Sequence, residues 1–305
     1  MSLRQIIKKI PGFNTLNEVR KNRIKKKELE EVKRKIATDT LMEGLPEQEL
    51  ENWRIRIADV LASEDNQKMD FVSDAGTMKG DYFVMHNGLL IEPLSYYGYP
   101  VLQMLVKSKG IHEPQEEYAF QEVLKVMKPG STMLELGAYW SFYSMWFNQQ
   151  VAEAKNYMIE PWEIHHGIKN FEINKMKGDF SQYYISDKPG KHEDGTDIIN
   201  IDTYIEQKSI DFLDILHSDI QGQELEMLHG AKKLLNDKKV GYIFVSTHSN
   251  ELHKDCSDFL KDLGYTLVCS ADKDQTFSYD GLLVFKNPEY EGPDKLEISL
   301  KGNAS

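Results

Sequence analysis

An α/β fold is predicted for most of this chain, with a mostly parallel sheet between layers of helices. Two observations predict it. From about residue 113 onward, short apolar runs of strand length alternate with stretches of helical spacing. The last two runs, YTLVCS (265–270) and GLLVF (281–285), have only SADKDQTFSYD between them, so they are expected to pair antiparallel at one end. The earlier runs are TMLEL (132–136), NYMIE (156–160), SQYYI (181–185), DFLDILH (211–217) and GYIFVS (241–246). Helical spacing covers 117–127, 141–151, 162–175, 222–236 and 250–263. Residues 113–288 thus read as one Rossmann-like unit, and 289–305 as an acidic tail.

The first third has a different texture. Residues 1–42 read as a basic helical arm, broken at Pro11-Gly12, and 43–112 as an α+β accessory region. Within it, PEQELENWRIRIADVLAS (46–63) has helical spacing, with Leu50, Trp53, Ile57 and Leu61 on one stripe. YFVMHNGLLI (82–91) places Asn87-Gly88 between two apolar runs, the signal of a two-residue hairpin turn. A tyrosine-rich segment, Tyr96, Tyr97 and Tyr99, follows. It suits either a platform under an acceptor molecule or a cover over an apolar seam.

Charge and cysteine usage narrow the function classes. Residues 1–36 hold twelve Lys/Arg and four Asp/Glu, while the whole chain carries −12, leaving −20 on residues 37–305. So acidic a body will not hold a polyanion over a broad face, which argues against a nucleic-acid partner. In the arm, Leu3, Ile6, Ile7 and Ile10 fall at helical spacing among Arg4, Lys8 and Lys9, which fits peripheral membrane contact or packing on a protein surface. No apolar run is long enough to span a bilayer, and MSLRQIIKKIPGF lacks the features of a secretory signal. Cys256 and Cys269 lie in apolar stretches and are expected as buried thiols, in keeping with a cytoplasmic setting.

Two strand tips carry acids. In MLELGAYWSFYSMWF (133–147), Glu135 and Leu136 run into Gly137, followed by Ala138, Tyr139 and Ser141 at a helix start. A glycine there lets loop amides face a ligand. The single glycine and the neighbouring Glu135 disfavour a diphosphate and so a nicotinamide-dependent dehydrogenase. Glu135 suits an amino-acid ammonium, as in S-adenosylmethionine. At the next strand tip, Glu160-Pro161-Trp162 places an acid where it can accept bonds from ribose hydroxyls, with Trp162 available to flank adenine.

The most distinctive stretch is IDFLDILHSDIQGQELEMLHGAKKLL (210–235). It resembles the FkbM-type methyltransferase family at Ile210, Asp211, Leu213, Asp219, Gly222, Glu224, Leu228, Gly230 and Ala231. ELGAYWSFYS, IEPW, YISDKPG and INIDTYIEQ resemble further segments of that family in order, across about 113–286. The resemblance implies a class I S-adenosylmethionine-dependent methyltransferase, with O-methylation of a sugar, glycan or related hydroxyl. It adds Ser186, Asp187 and His217 to the expected cofactor residues. Ser141 stands where the family has a glycine, and Gln221 where it has an acid.

A hydroxyl acceptor needs a base or a metal. Asp219, His217 and His248 are the candidate catalytic groups, the last in VSTHSNELH (245–253). Asp219 and His248 are expected as neighbours across adjacent strand tips. With Glu224 or His253 they are also a possible divalent-metal set, although no metal is required. Other readings are a non-sugar acceptor (lipid head group, small metabolite or nitrogen) and a binding protein that keeps the fold without catalysis. A homo-oligomer is possible.

Overall fold

A computed structural model describes residues 13–302. The expected amphipathic stretch at Leu3–Ile10 and the break at Pro11-Gly12 lie outside these residues. Helix α1 (Phe13–Ala37) is followed by α2 (Glu47–Ala62), a 3-10 turn at Glu64–Lys68, and three short strands, β1 (Met78–Lys79), β2 (Tyr82–Val84) and β3 (Leu90–Ile91). On α2, Ile57 and Val60 turn inward, whereas Leu61, expected on the buried stripe, is 48% exposed. The hairpin forms, with Val84 opposite Leu90. Its connection is longer than two residues: a turn closed by Gly88 N–H to Met85 C=O, with only Gly88 of the pair at positive φ. β1 adds a third strand.

Two helices, α3 (Gly98–Ser108) and α4 (Pro114–Leu124), lead into the main sheet. Its strands are β4 (Thr132–Leu136), β5 (Lys155–Ile159), β6 (Asp179–Ser181), β10 (Leu213–Ser218), β11 (Val240–Thr247), β12 (Thr266–Ala271) and β13 (Gly281–Lys286). The order is β12-β13-β11-β10-β4-β5-β6, with β13 antiparallel to both of its neighbours and the other pairings parallel. This is the mostly parallel Rossmann-like sheet, with an antiparallel last strand, expected of a class I methyltransferase. Helices α5 (Phe142–Gln150), α6 (Ile164–Ile173), α7 (Ile201–Lys208), α8 (Glu224–Gly230), α9 (Lys232–Asn236) and α10 (Asn250–Asp262) flank it.

The structure departs from expectation at three further places. The third strand ends at Ser181; Tyr184–Ile185 (β7) leaves the main sheet and pairs with β9 (Asp197–Ile199), which also carries β8 (Gly190–Lys191). The helix expected over 222–236 is two, because the Asp202 carboxylate caps a second start at the Lys233 and Leu234 amides. α4 begins at Pro114 rather than 117, proline being well suited to a first helical turn.

Alternating strand residues feed two cores, one on each sheet face. Leu134, Leu136, Leu216, Ile243 and Val245 face the core under α7 to α10. Met133, Ile215 and Phe244 face the other, which runs without interruption into Val60, Phe83, Leu89 and Leu102 of the first third. α6 fastens the two parts further. Asn170 accepts from Glu92 N–H and donates to Trp140 C=O, while Asn174 exchanges both backbone bonds with Leu90, as a neighbouring strand would. The tail folds back: Ser299 bonds to Asp65 and Gln115, and the Leu296 amide bonds to Val268. Cys256 and Cys269 are buried free thiols. No helix among the described residues is long and apolar enough to cross a membrane.

Candidate active site

A cavity of about 520 Å³ opens at the carboxyl ends of β4, β5 and β10, where ligands bind in open α/β sheets. The turn after β4 builds its floor. Gly137 sits at φ 71°, and a Cβ there would collide with the Asp219 carbonyl of the neighbouring turn. Tyr139 and Ser141 also take positive φ, an uncommon conformation for residues with side chains. Glu135, Gly137, Ala138 and Tyr139 line the cavity, as do Glu160, Pro161, Trp162, His217 and Asp219. Glu135 and Glu160, at successive strand tips, therefore face one space.

The two acids are held differently. Glu160 is buried, and its oxygens accept the amides of Tyr139, Trp162 and Glu163, which fixes the carboxylate at the rim of the turn. Glu135 accepts the Ser144 amide, and burial pushes its carboxyl up to about 7 against the lowering influence of nearby His217. Trp162 is 61% exposed and is steadied by Asp194, which its indole N–H and the Tyr184 hydroxyl both reach. Tyr183, Tyr184 and Ile185 complete that wall.

Several expected residues lie elsewhere. Ser141 is buried against Gly167 of α6 and does not line the cavity. Ser186 and Asp187 are likewise absent from its wall: Ser186 pairs with Ile199, and its carbonyl abuts Gly230. The wall instead takes the three residues just before them. His217 borders the cavity. Its Nε2 meets Glu116 Oε1 at 2.7 Å, its ring lies between Tyr143 and Phe244, and its Nδ1 is buried without a partner.

Asp219 and His248 are neighbours, as expected, with Oδ1 and Nε2 3.3 Å apart. Two more carboxylates surround the imidazole: Glu224 Oε1 is 3.0 Å from Nδ1, and Asp280 Oδ1 is 3.4 Å from Nε2. Burial disfavours the imidazolium, but bonding to Asp219 and Glu224 and the charge of Asp280 outweigh it and raise His248 to about 10. Glu224 is fully buried and closes its own turn by accepting the Ile220 and Gly222 amides. His253 is excluded from this group, since Thr247 and Ser270 occupy its two nitrogens.

A family model described as the methyltransferase FkbM domain matches residues 89–267. The chain belongs to the FkbM methyltransferase family. No curated protein sequence matches this FkbM-family chain significantly. Among solved structures it is similar to TrmK from M. capricolum in complex with S-adenosyl-homocysteine, at 13% identity and TM-score 0.41, over 56% of this chain and 69% of that one. It is also similar to a precorrin-6y C5,15-methyltransferase from Geobacter metallireducens, at 11% identity and TM-score 0.39, over 55% and 84% of the two chains. A third is a putative tRNA (m1A22) methyltransferase from Streptococcus pneumoniae in complex with S-adenosyl-L-methionine, at 13% identity and TM-score 0.39, over 57% and 73%.

One part of this FkbM-family site lies outside the residues that the sequence pattern singles out. His112, Glu113, Glu116 and Glu117, from the start of α4, form a buried ionic network under the cavity. His112 reaches Glu117 at 2.6 Å and Glu113 at 3.1 Å, and Glu117 reaches His86 of the hairpin at 3.0 Å. Glu113 also accepts the Tyr143 hydroxyl, and Glu116 accepts Ser246. Burial opposes charge on His112, yet its two carboxylates raise it to about 10. The signal available was HEPQEE itself, three acids and a histidine at one helix start. Overhead, Tyr96 stacks on Trp140 at 4.4 Å, and both Tyr96 and half-exposed Tyr97 line the cavity, whereas Tyr99 packs beside Lys35.

Proposed function

We propose that this FkbM-family chain is an S-adenosylmethionine-dependent O-methyltransferase acting on a hydroxyl of a sugar, glycan or related metabolite. One observation carries the cofactor. Glu113, Glu135, Glu160, Glu163 and Asp219 line the cavity, and no Lys or Arg does so among the described residues. Such a wall repels a dinucleotide's phosphates and attracts a cationic ligand. Glu135, buried at a strand tip, suits an ammonium group; Glu160 suits ribose hydroxyls through its remaining lone pairs; Trp162 and Tyr184 suit an adenine ring.

When bound, S-adenosylmethionine supplies a methyl group on a sulfonium leaving group. The protein's share is alignment and a proton acceptor, and alignment alone supplies roughly 7–11 kcal/mol in favourable cases. The contacts of Asp219 with Gln221 and His248 fall on Oδ1, leaving Oδ2 to accept the acceptor's hydroxyl proton. His248, charged near neutral pH, lies 3.3 Å from Oδ1 and orients that carboxylate. The acidic body argues against a polyanionic acceptor.

Calorimetry tests the cofactor assignment. Saturable S-adenosylmethionine binding is expected in the wild type and is lost in Glu160→Ala; absence of binding at millimolar concentration sinks it. A gain of one methyl on a glycan acceptor, read by mass spectrometry, tests the acceptor class.

A further inference from the structure

We propose that Asp219, His248 and Asp280 form a divalent-cation site beside the cavity, suited to Mg²⁺ or Mn²⁺, where the ion would hold the acceptor hydroxyl; this deepens the reading above and rests on it. The topology assembles the three. Strands β10, β11 and β13 are adjacent, and β13 runs antiparallel. The residues just after β10 and β11 therefore meet the residue just before β13 at one sheet edge. These are Asp219, His248 and Asp280.

The same spacing suits ligands of one ion, His248 releasing its proton when the ion binds. The three ligand atoms lie within 4.8 Å of one another, with His248 Nε2 at 3.3 Å from Asp219 and 3.4 Å from Asp280. Ligands about 2.1 Å from a shared ion sit roughly 3 Å apart when adjacent. Despite this proximity, neither ring nitrogen of His248 nor Asp280 Oδ1 makes a directed hydrogen bond. Nε2 faces Asp219 and Asp280, while Nδ1 faces Glu224. Fully buried Glu224 supports them from behind: its Oε1 lies 3.0 Å from Nδ1, which turns Nε2 toward the aspartates, and its Oε2 has no partner.

The charge count agrees. Asp219, Asp280 and Glu224 surround one imidazole, and the nearest other cation to Asp280 is Lys273 at 3.8 Å. Two aspartates and one imidazole make a hard, mostly oxygen donor set, with remaining positions for water and a hydroxyl.

Titration of the full chain with Mn²⁺ alone, followed by electron paramagnetic resonance without any methyl donor, tests the site. One ion per chain is expected. Asp280→Asn should weaken binding at least about tenfold. His165→Ala, in the exposed Glu163–His165–His166 cluster, should leave it unchanged. Should Asp280→Asn fail to fold by circular dichroism, His248→Gln carries the same expectation. Absence of Mn²⁺ and Mg²⁺ binding at millimolar concentration overturns the proposal, as does loss in His165→Ala with retention in Asp280→Asn. S-adenosylmethionine calorimetry is scored separately, so its failure is distinguishable from loss of the ion.

Discussion

Ser141, at the left-handed entry to α5, and Gly167, on α6, interlock: the Ser141 hydroxyl fills the volume that a side chain at 167 would need. The family's glycine position thus tolerates serine because the facing helix carries the glycine instead. Gly167→Ala is expected to cost about 1–3 kcal/mol through overpacking. Ser141→Gly removes left-handed strain of about 1 kcal/mol together with an unpartnered buried hydroxyl. The double variant should recover most of the loss, since the two residues share one space. Denaturant midpoints of the four proteins measure this coupling, and strict additivity would refute it.

Cofactor affinity should depend on pH through Glu135. Its carboxyl titrates near 7 because it is buried, and a cationic ligand favours the ionised form. Raising the pH from 6 to 8 is therefore expected to tighten S-adenosylmethionine binding by up to about tenfold per unit below that value. Glu135→Gln should bind more weakly and show a flatter profile by calorimetry. An identical slope in both proteins would remove Glu135 from ammonium recognition.

Stability should fall on the alkaline side for a different reason. His112 is raised from 6.5 to about 10, so the folded chain holds this proton where the unfolded chain has released it. The stabilisation is complete below about pH 6.5 and is lost as pH rises through about 10. Glu117 is shifted the opposite way: burial disfavours its ionised form, but His112 outweighs this and lowers it. Its contribution is present above about 4.5 and is lost under acid. Thermal melts of His112→Gln should be lower at pH 7 and lack the alkaline decline over that window.

Asn170 and Asn174 hold strand β3 against α6 by side-chain bonds that imitate a neighbouring strand. Asn170→Ala leaves the partly buried Glu92 amide and the buried Trp140 carbonyl without these partners, at about 1–3 kcal/mol for the carbonyl and less for the amide, which water can reach. Hydrogen exchange should rise first at residues 90–92. Exchange that changed only in the main sheet would contradict this.

The sheet was legible because its strands are near-continuous apolar runs bounded by turn residues, and parallel strands covered on both faces read that way. The acids at 135 and 160 were legible because a strand tip fixes where a side chain emerges. Ser186 and Asp187 fall outside the cavity wall because the chain leaves the main sheet after Ser181, a departure hidden inside the β-compatible run SQYYI. The place of Asp280 beside Asp219 and His248 was not legible, since a loop acid shows its partners only when an antiparallel strand carries it back across the sheet. Glu113, Glu116 and Glu117 looked like ordinary acids of a first helical turn. Their partners, His86 and His217, lie far away in sequence and meet them only in the fold.

Because the apolar core crosses from the sheet into the first third without a break, that third is not a detachable cassette. Grafting the corresponding region of a relative onto residues 113–288 would disturb the packing of the 3-10 turn on α4 and of β3 on α6, and remove the ceiling supplied by Tyr96 and Tyr97. Redirecting this protein to a new acceptor is therefore a matter of single substitutions on an intact frame. Diversification by wholesale exchange of the N-terminal third is closed to it by its own packing.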